Sequence, residues 1–342
     1  MGTDLGELVE TEEISFDHML NKEIGVDAMN TLYQFLSIIR QRDGTPLKDS
    51  DGNVTSHLSG LFYRAGNLLE KNIKPVFIFD GEAPTLKEEE AEKRREKREQ
   101  ARKEWKELRE KGETEKARKK AEQSSKLTSD MVKEAKKLLD AMGIPAIQAP
   151  SEGEAQSAWM NREGQVWAVG SQDWDALLFG ADRLVRNLTV TGKRKVPGKD
   201  RYRKVVPERI TRESMEEQTG VSREKLVWAG ILMGTDFNPG GIRGIGPKTA
   251  MDLVTEYDAF DTLLEDDRVD WQHENDPHTI LDFFMDPPVD DTVSFAFEDP
   301  DEDRIRELLV DEHDFSEDRV NSKLENIMDA MKDTQQDLGS FV

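Results

Sequence analysis

Residues 149–179 read APSEGEAQSAWMNREGQVWAVGSQDWDALLF and carry two close pairs of acids, Glu152 with Glu154 and Asp173 with Asp175. Between the pairs lies a short apolar run, Val166 to Val169, that has the character of a buried strand. Asp173 and Asp175 fall just past its C-terminal end, the edge at which open α/β sheets bind ligands. Two more apolar runs also end in aspartate: Ile24 to Val26 leads into Asp27, and Val76 to Phe79 leads into Asp80. Three strands that deliver carboxylates to one rim, with a pair of glutamates nearby, make an anionic pocket that repels itself unless cations enter it. Oxygen ligands alone suit Mg²⁺ or Mn²⁺ rather than zinc.

Each acid pair taken singly has a plainer reading. Ser151 to Glu154 has the form of a capping box, with Ser151 capping a helix and Glu154 reaching back to it. Asp173 can be an N-cap, with Asp175 in the first turn near the positive end of the helix dipole. Caps, however, do not require three strand ends to converge on one rim, and that convergence favours the metal.

The chain has 342 residues, a net charge of −23 and no cysteine. That length supplies a sizeable core and one or two domains. The cysteine count excludes disulfides, thiolate metal sites and a cysteine nucleophile, and the five histidines show no paired ligand spacing. No stretch approaches the roughly 20 apolar residues of a membrane span, and the N-terminus lacks a signal core. The expectation is a soluble cytoplasmic protein. The acids are spread along the chain rather than gathered in a tail, and Lys is sparse in the second half. Excess acid over a folded surface is read as the mark of a salt-loving, archaeal host.

Taken in order, the chain opens as strand, helix, helix, strand: Ile24–Asp27, 28–40, 55–71 and 74–80. This is the start of a doubly wound sheet, with Arg64 on the second helix placed toward the active rim. Residues 87–120 then form a dense run of Lys, Arg and Glu with few apolar residues. A solvated helix laced by ion pairs is the ordinary meaning of such a run. A helical excursion standing over the active edge is the alternative, with Lys87 and Arg94 seven apart on one face and able to meet a phosphate held above the acids. Residues 184–206 alternate like a basic hairpin, and 293–297 like a strand within an acidic, mostly helical C-terminal part. In NPGGIRGIGPKTA, residues 238–250, Gly244 and Gly246 form a tight turn and Pro247 opens a helix. The amides there can bind a phosphate, with Lys248 and Thr249 beside them; a helix-turn-helix turn without ligand is the plainer reading. Residues 335–342 follow a helix and look detached.

The runs VDAMNTLYQFLSIIRQRDGTPL, TSHLSGLFYR, KPVFIFDGEAPTLK, APSEGEAQ, SQDWDALLFG and GTDFNPGGIRGIGPKTA occur in one order from near the N-terminus to about residue 250. In them the chain resembles the archaeal flap endonucleases, a structure-specific 5′ nuclease family. The resemblance implies a mostly parallel central sheet flanked by helices, a PIN-like core with a helical arch inserted and a helix-turn-helix element for DNA. It implies two Mg²⁺ ions, with Mn²⁺ as substitute, on Asp27, Asp80, Glu152, Glu154, Asp173, Asp175 and Asp236; the last is supplied by the resemblance alone. It implies that Lys87 and Arg94 act at the foot of the arch, that Tyr33 stacks on a base, and that Arg40 and Arg64 flank the active site. The segment 243–248 is implied to hold duplex DNA and a monovalent cation, K⁺. The tail residues Gln335, Leu338 and Phe341 resemble a peptide that docks on the sliding clamp (PCNA), although Val342 stands where a second aromatic is usual.

The segments implied are 1–86 and 128–220 for the two parts of the nuclease core, 87–127 for the arch, 221–332 for the helix-turn-helix region and C-terminal helices, and 333–342 for the clamp tail. The expected activity is Mg²⁺-dependent hydrolysis of DNA phosphodiesters at single-strand/duplex junctions, as a monomer on branched DNA with a 5′ flap, in replication and repair. The alternatives are a sibling nuclease acting on nicks, bubbles or four-way junctions, and a non-catalytic DNA-junction clamp on the same fold.

Overall fold

The computed structural model describes residues 3, 5–41, 43–189, 192–195 and 202–339, apart from the side chains of 88–90, 114, 192–195, 202–204 and 333–339. The strands in chain order are β1 (Glu12–Glu13), β2 (Glu23–Asp27), β3 (Lys74–Phe79), β4 (Ala146–Gln148), β5 (Ala168–Gly170), β6 (Arg183–Arg186), β7 (Gly192–Lys195), β8 (Tyr202–Val205) and β9 (Glu208–Thr211). Seven of them form one sheet in the order β1-β9-β6-β5-β2-β3-β4. From β4 to β6 all neighbours are parallel; β9 joins β6, and β1 joins β9, antiparallel. β7 and β8 pair with each other as a separate hairpin.

Parallel strands need crossovers, and crossovers cover both faces of the sheet. Helices α1 (Ala28–Ile38) and α2 (Ser56–Leu69) link β2 to β3; α3 (Glu88–Glu110), α4 (Thr114–Gln123) and α5 (Ser129–Ala141) link β3 to β4. α6 (Gly153–Arg162) links β4 to β5, and α7 (Asp175–Leu178) links β5 to β6. The alternation of β3 shows the two-sidedness directly. Phe77 and Phe79 pack with Leu32, Phe62 and Leu138 from α1, α2 and α5, whereas Val76 and Ile78 pack with Met160 of α6. On β2, Ile24 and Val26 face the first layer. Gly25 faces the second, where a Cβ would lie 2.4 Å from Ser157 Oγ. Glycine at this position lets α6 approach the sheet closely.

The basic run forms the pair α3 and α4, closed by a short turn at Gly112. It finds a core of its own in small side chains: Ala101, Ala117 and Ala121 are buried. The loop after α1 docks on this pair, since a Cβ on Gly44 would stand 3.0 Å from Ala121 Cβ and 3.5 Å from Trp105 Nε1. Beyond the sheet come α8 (Arg212–Thr219), α9 (Arg223–Met233), α10 (Pro247–Glu256), α11 (Phe260–Leu264), α12 (Pro277–Met285), α13 (Glu302–Arg306) and α14 (Glu317–Gly339). α9 and α10 contribute Leu226, Ile231, Ala250 and Leu253 to one cluster with α7. Among the described residues no helix is long and apolar enough to cross a membrane.

Three expectations change. The strand expected at 293–297 is absent among the described residues. Val293, Phe295 and Phe297 do alternate inward onto Val76 and Ile147, as a period of two requires. The Val293 carbonyl accepts from the Gln165 side chain, and the Glu298 amide just beyond the segment donates to the Gly143 carbonyl, rather than forming a ladder. The expected strand at Val166–Val169 pairs two residues later, over Ala168–Gly170. The tail expected to be detached continues the helix, since α14 runs to Gly339 and takes in Gln335 and Leu338; no proline interrupts it. Phe341 lies outside the described residues.

Candidate active site

The sheet brings Asp27, Asp80 and Asp173 to one edge because β2, β3 and β5 are adjacent and parallel. Asp27 ends β2 and caps α1, its Oδ1 accepting the Asn30 amide at 3.0 Å. Asp80 follows β3 and its Oδ1 accepts the Gly153 amide at 2.9 Å. A Cβ at Gly153 would stand 2.8 Å from that oxygen, so a side chain there crowds the carboxylate. The capping box expected at 151–154 does not form. Glu152 is the N-cap of α6 with no side-chain cap bond, and Ser151 Oγ donates instead to the Glu82 carbonyl. Asp173 does not cap a helix either, because α7 starts at Asp175 after Trp174. Its Oδ2 accepts Asn30 Nδ2 at 2.7 Å. Glu154 accepts Ser171 Oγ at 2.6 Å, and Asp175 accepts the Thr3 amide at 2.8 Å.

Asp236 arrives by another route. α9 ends at Gly234, and a buried knot follows: Asn238 accepts from Thr235 N and Oγ1 and donates to the Ile231 carbonyl. The knot turns Asp236 back toward the foot of α3. There Arg94 Nη2 lies 2.8 Å from Asp236 Oδ1, and Lys87 Nζ lies 3.4 Å from its Oδ2 and 2.6 Å from Glu152 Oε2. Lys87, in the turn before α3, and Arg94, in its second turn, thus share Asp236 as a target, and the N-terminal end of α3 meets the acids.

The electrostatics ties the group into one cluster. Burial, then the charge of Asp80, pushes Asp27 up to about 8. Burial, then Asp236, pushes Asp175 up to about 7. Burial with Asp27, Asp175 and Asp173 around it lifts Glu154 well above the usual carboxylate range, and burial lifts Asp80. Burial acts against Asp236 too, but Lys87 and Arg94 outweigh it and hold this acid low. Burial also opposes the Lys87 ammonium, yet Glu152 and Asp236 overcome it and keep the group charged. Two cations cannot balance seven carboxylates, and the shortfall is the signature of a site built for further cations. An all-oxygen donor set suits hard divalent ions. Among the described residues no three acids or histidines already stand in an ion-holding arrangement. At least one oxygen of each acid accepts from Lys87, Arg94 or the amide and hydroxyl donors above, and the Lys87 ammonium is the cation seated on Glu152.

Other expected residues fall around this centre. Tyr33 is half-buried on α1, one turn beyond Asn30. Arg40 donates to the carbonyls of Leu36 and Gly44 and to Ser125 Oγ, which ties the end of α1 to the return of the arch. Arg64 donates to the Thr189 carbonyl at 2.6 Å. Gly244, Gly246 and Lys248 are exposed and Thr249 half-buried where α10 begins, with Pro247 in its first turn. Sequence reasoning did not find Asn30, Ser171 or the Thr3 amide, all neutral groups in runs without a charge pattern. From residues alone it also left Asp236 as a neighbour of a glycine turn. The pattern of a helix ending in Gly with an aspartate two residues on was the available signal.

Comparison with known proteins places the chain in a family. The XPG N-terminal domain matches residues 5–101 and the XPG I-region matches residues 143–236. The chain is 52% identical over 336 residues to flap endonuclease 1 of Pyrococcus furiosus, covering 98% of this chain and 97% of that protein. The structure of flap endonuclease-1 from Methanococcus jannaschii matches with a TM-score of 0.77 at 39% identity, over 97% of this chain and 100% of that one. The catalytic core of Rad2 in complex with DNA substrate matches with a TM-score of 0.67 at 25% identity, over 96% of this chain and 100% of that one. At that identity over nearly the full length of both chains, the chain belongs to the flap endonuclease 1 family of nucleases.

Proposed function

We propose that this nuclease is a structure-specific 5′ flap endonuclease that cuts DNA phosphodiesters where single strand meets duplex. The observation that carries the reading is the buried seven-acid cluster faced by Lys87 and Arg94 from the foot of the arch. Asp27, Asp80, Glu152, Glu154, Asp173, Asp175 and Asp236 are the residues to hold Mg²⁺, with Mn²⁺ as substitute. Two such ions supply an activated water and a stabilised leaving oxygen. Lys87 and Arg94, released from Glu152 and Asp236, offset charge on the scissile phosphate. Tyr33 stacks on an unpaired base, an interaction worth roughly 1–3 kcal/mol. Arg40 braces the arch, and Arg64 braces the segment at Thr189 beside Asp27. The amides from Gly244 to Thr249 at the start of α10 hold a phosphate of the duplex, with K⁺ at the same turn. The five segments given above divide these tasks.

The same reading assigns Gln335, Leu338 and Phe341 to a sliding clamp, monomeric action on DNA, and a surface adapted to high salt. Deleting residues 335–342 is expected to leave cleavage of naked DNA unchanged and to abolish stimulation by the clamp. Stimulation that survives the deletion removes the tail from this role. The test of the central reading is cleavage of flap, nicked and four-way DNA with and without Mg²⁺, by the wild type and by Asp175→Asn. Mg²⁺-dependent flap cleavage lost in the variant supports it. Preference for four-way DNA transfers the chain to the sibling activity, and near wild-type turnover by Asp175→Asn ends the two-metal assignment.

A further inference from the structure

We propose that Asn30 is a positioning residue that braces Asp27 and Asp173 against each other and thereby sets divalent-metal affinity. The inference rests on the metal reading above. Asn30 is the third residue of α1. Its backbone N–H donates to Asp27 Oδ1 at 3.0 Å and its side-chain Nδ2 donates to Asp173 Oδ2 at 2.7 Å. The two acids end neighbouring parallel strands, with Val26 opposite Gly170. One residue therefore spans two strand ends whose carboxylates repel. The bridge is neutral, so it fixes two carboxylates without adding a positive charge. Lys87, by contrast, occupies Glu152 as a charge.

Helix capping alone does not account for this side chain. The cap on Asp27 is made by the backbone N–H, and a substitution at position 30 retains it. Core filling does not account for it either, because Asn30 is half-buried and borders a small recess that it shares with Gln34, Ser171 and Thr189. What replacement removes is the Asn30 side-chain donor to Asp173. Partners that orient a metal ligand in this way typically control about 10–100-fold in metal affinity.

The experiment uses full-length protein with Asn30→Ala and the near-isosteric Asn30→Leu, both better helix formers than Asn. Mn²⁺ binding is measured by calorimetry without DNA, single-turnover flap cleavage across a Mg²⁺ series, and urea unfolding in EDTA. Both variants are expected to bind Mn²⁺ about 10–100-fold more weakly, to regain most of the wild-type rate at saturating Mg²⁺, and to unfold at an unchanged or higher midpoint. Isotherms within about twofold of a wild type that does bind overturn the inference alone. Weaker binding matched by an equal loss of stability in EDTA makes Asn30 a structural residue and overturns it as well. A wild type that takes up no Mn²⁺ removes the metal reading and this inference together.

Discussion

Replacing Lys87 by Met tests whether one ammonium holds the metal-free site together. Nζ lies 2.6 Å from Glu152 and 3.4 Å from Asp236, and the three side chains are 22%, 11% and 15% exposed. Met keeps the stem, including packing near the Phe237 ring, which Nζ approaches to 5.5 Å, so the loss is one of charge. Removing one partner of a buried pair costs about 3–5 kcal/mol. Protonation limits that cost: Glu152, lifted by burial in the fold, can take up a proton, and relative to an unfolded glutamate of pKa about 4.3 this costs roughly 4 kcal/mol at about pH 7.5. The variant is expected to lose about 3–4 kcal/mol in EDTA at that pH. Where relief comes from a proton bound only in the folded state, stability falls as pH rises. The deficit therefore shrinks on acidification, by up to about 1.4 kcal/mol per unit, and protonation caps it at roughly 1.6 kcal/mol at about pH 5.5. Mn²⁺ replaces the ammonium against the acids, so the variant gains more from Mn²⁺ than the wild type does. The measurement is urea unfolding followed by circular dichroism at both pH values, with EDTA or Mn²⁺. A deficit below about 1 kcal/mol that does not change with pH refutes the reasoning.

Three further outcomes follow from other parts of the molecule. Arg94→Ala is expected to slow single-turnover cleavage by orders of magnitude with modest loss of DNA affinity, as for a group acting in the transition state; an unchanged rate returns α3 to a solvated helix. Asp49 accepts a hydrogen bond from His313 at 2.9 Å, and this bond, with Asn53, draws it down to about 2. A depressed carboxylate contributes stability above its unfolded pKa and loses it as pH falls toward its folded pKa. Wild-type stability should therefore drop more steeply than that of Asp49→Asn from the ordinary carboxylate range down to about 2, and parallel curves would exclude the pair as a source of stability. At a net charge of −23 the fold should loosen in dilute buffer and tighten with KCl, because the Debye length contracts to about 3 Å near 1 M. Full structure at low salt, with cleavage falling steadily to molar KCl, would remove the high-salt assignment.

Strands whose apolar runs end in aspartate were legible because burial on both faces writes a continuous apolar run and the acid then interrupts it. That logic located Asp27, Asp80, Asp173 and Asp175 without coordinates. It could not locate Asp236, whose position depends on the Thr235–Asn238 knot rather than on any periodicity. Alternation at 293–297 reported side-chain direction correctly but not partnership, because a period of two is satisfied by an extended segment packed on a sheet without pairing to it. The capping box at 151–154 was a correct local pattern overridden by tertiary demand, since the first amide of α6 serves Asp80. Asn30 left no trace, because a neutral residue early in a helix is ordinary in every local respect.

Three of the carboxylates are gripped by main-chain amides: Asp27 by residue 30 in the adjoining helical turn, and Asp80 by residue 153 and Asp175 by residue 3 from remote segments. An amide belongs to every residue except proline. Apart from Gly153, where a side chain would crowd Asp80, these grips therefore survive point substitution and fail when the chain changes length. Drift by replacement can reshape the arch or the acidic surface while leaving the grips in place. A single inserted or deleted residue between Asp80 and Gly153 that is not absorbed by a loop shifts the donor off its acceptor. In this architecture, tolerance to spelling changes and intolerance to spacing changes have one origin.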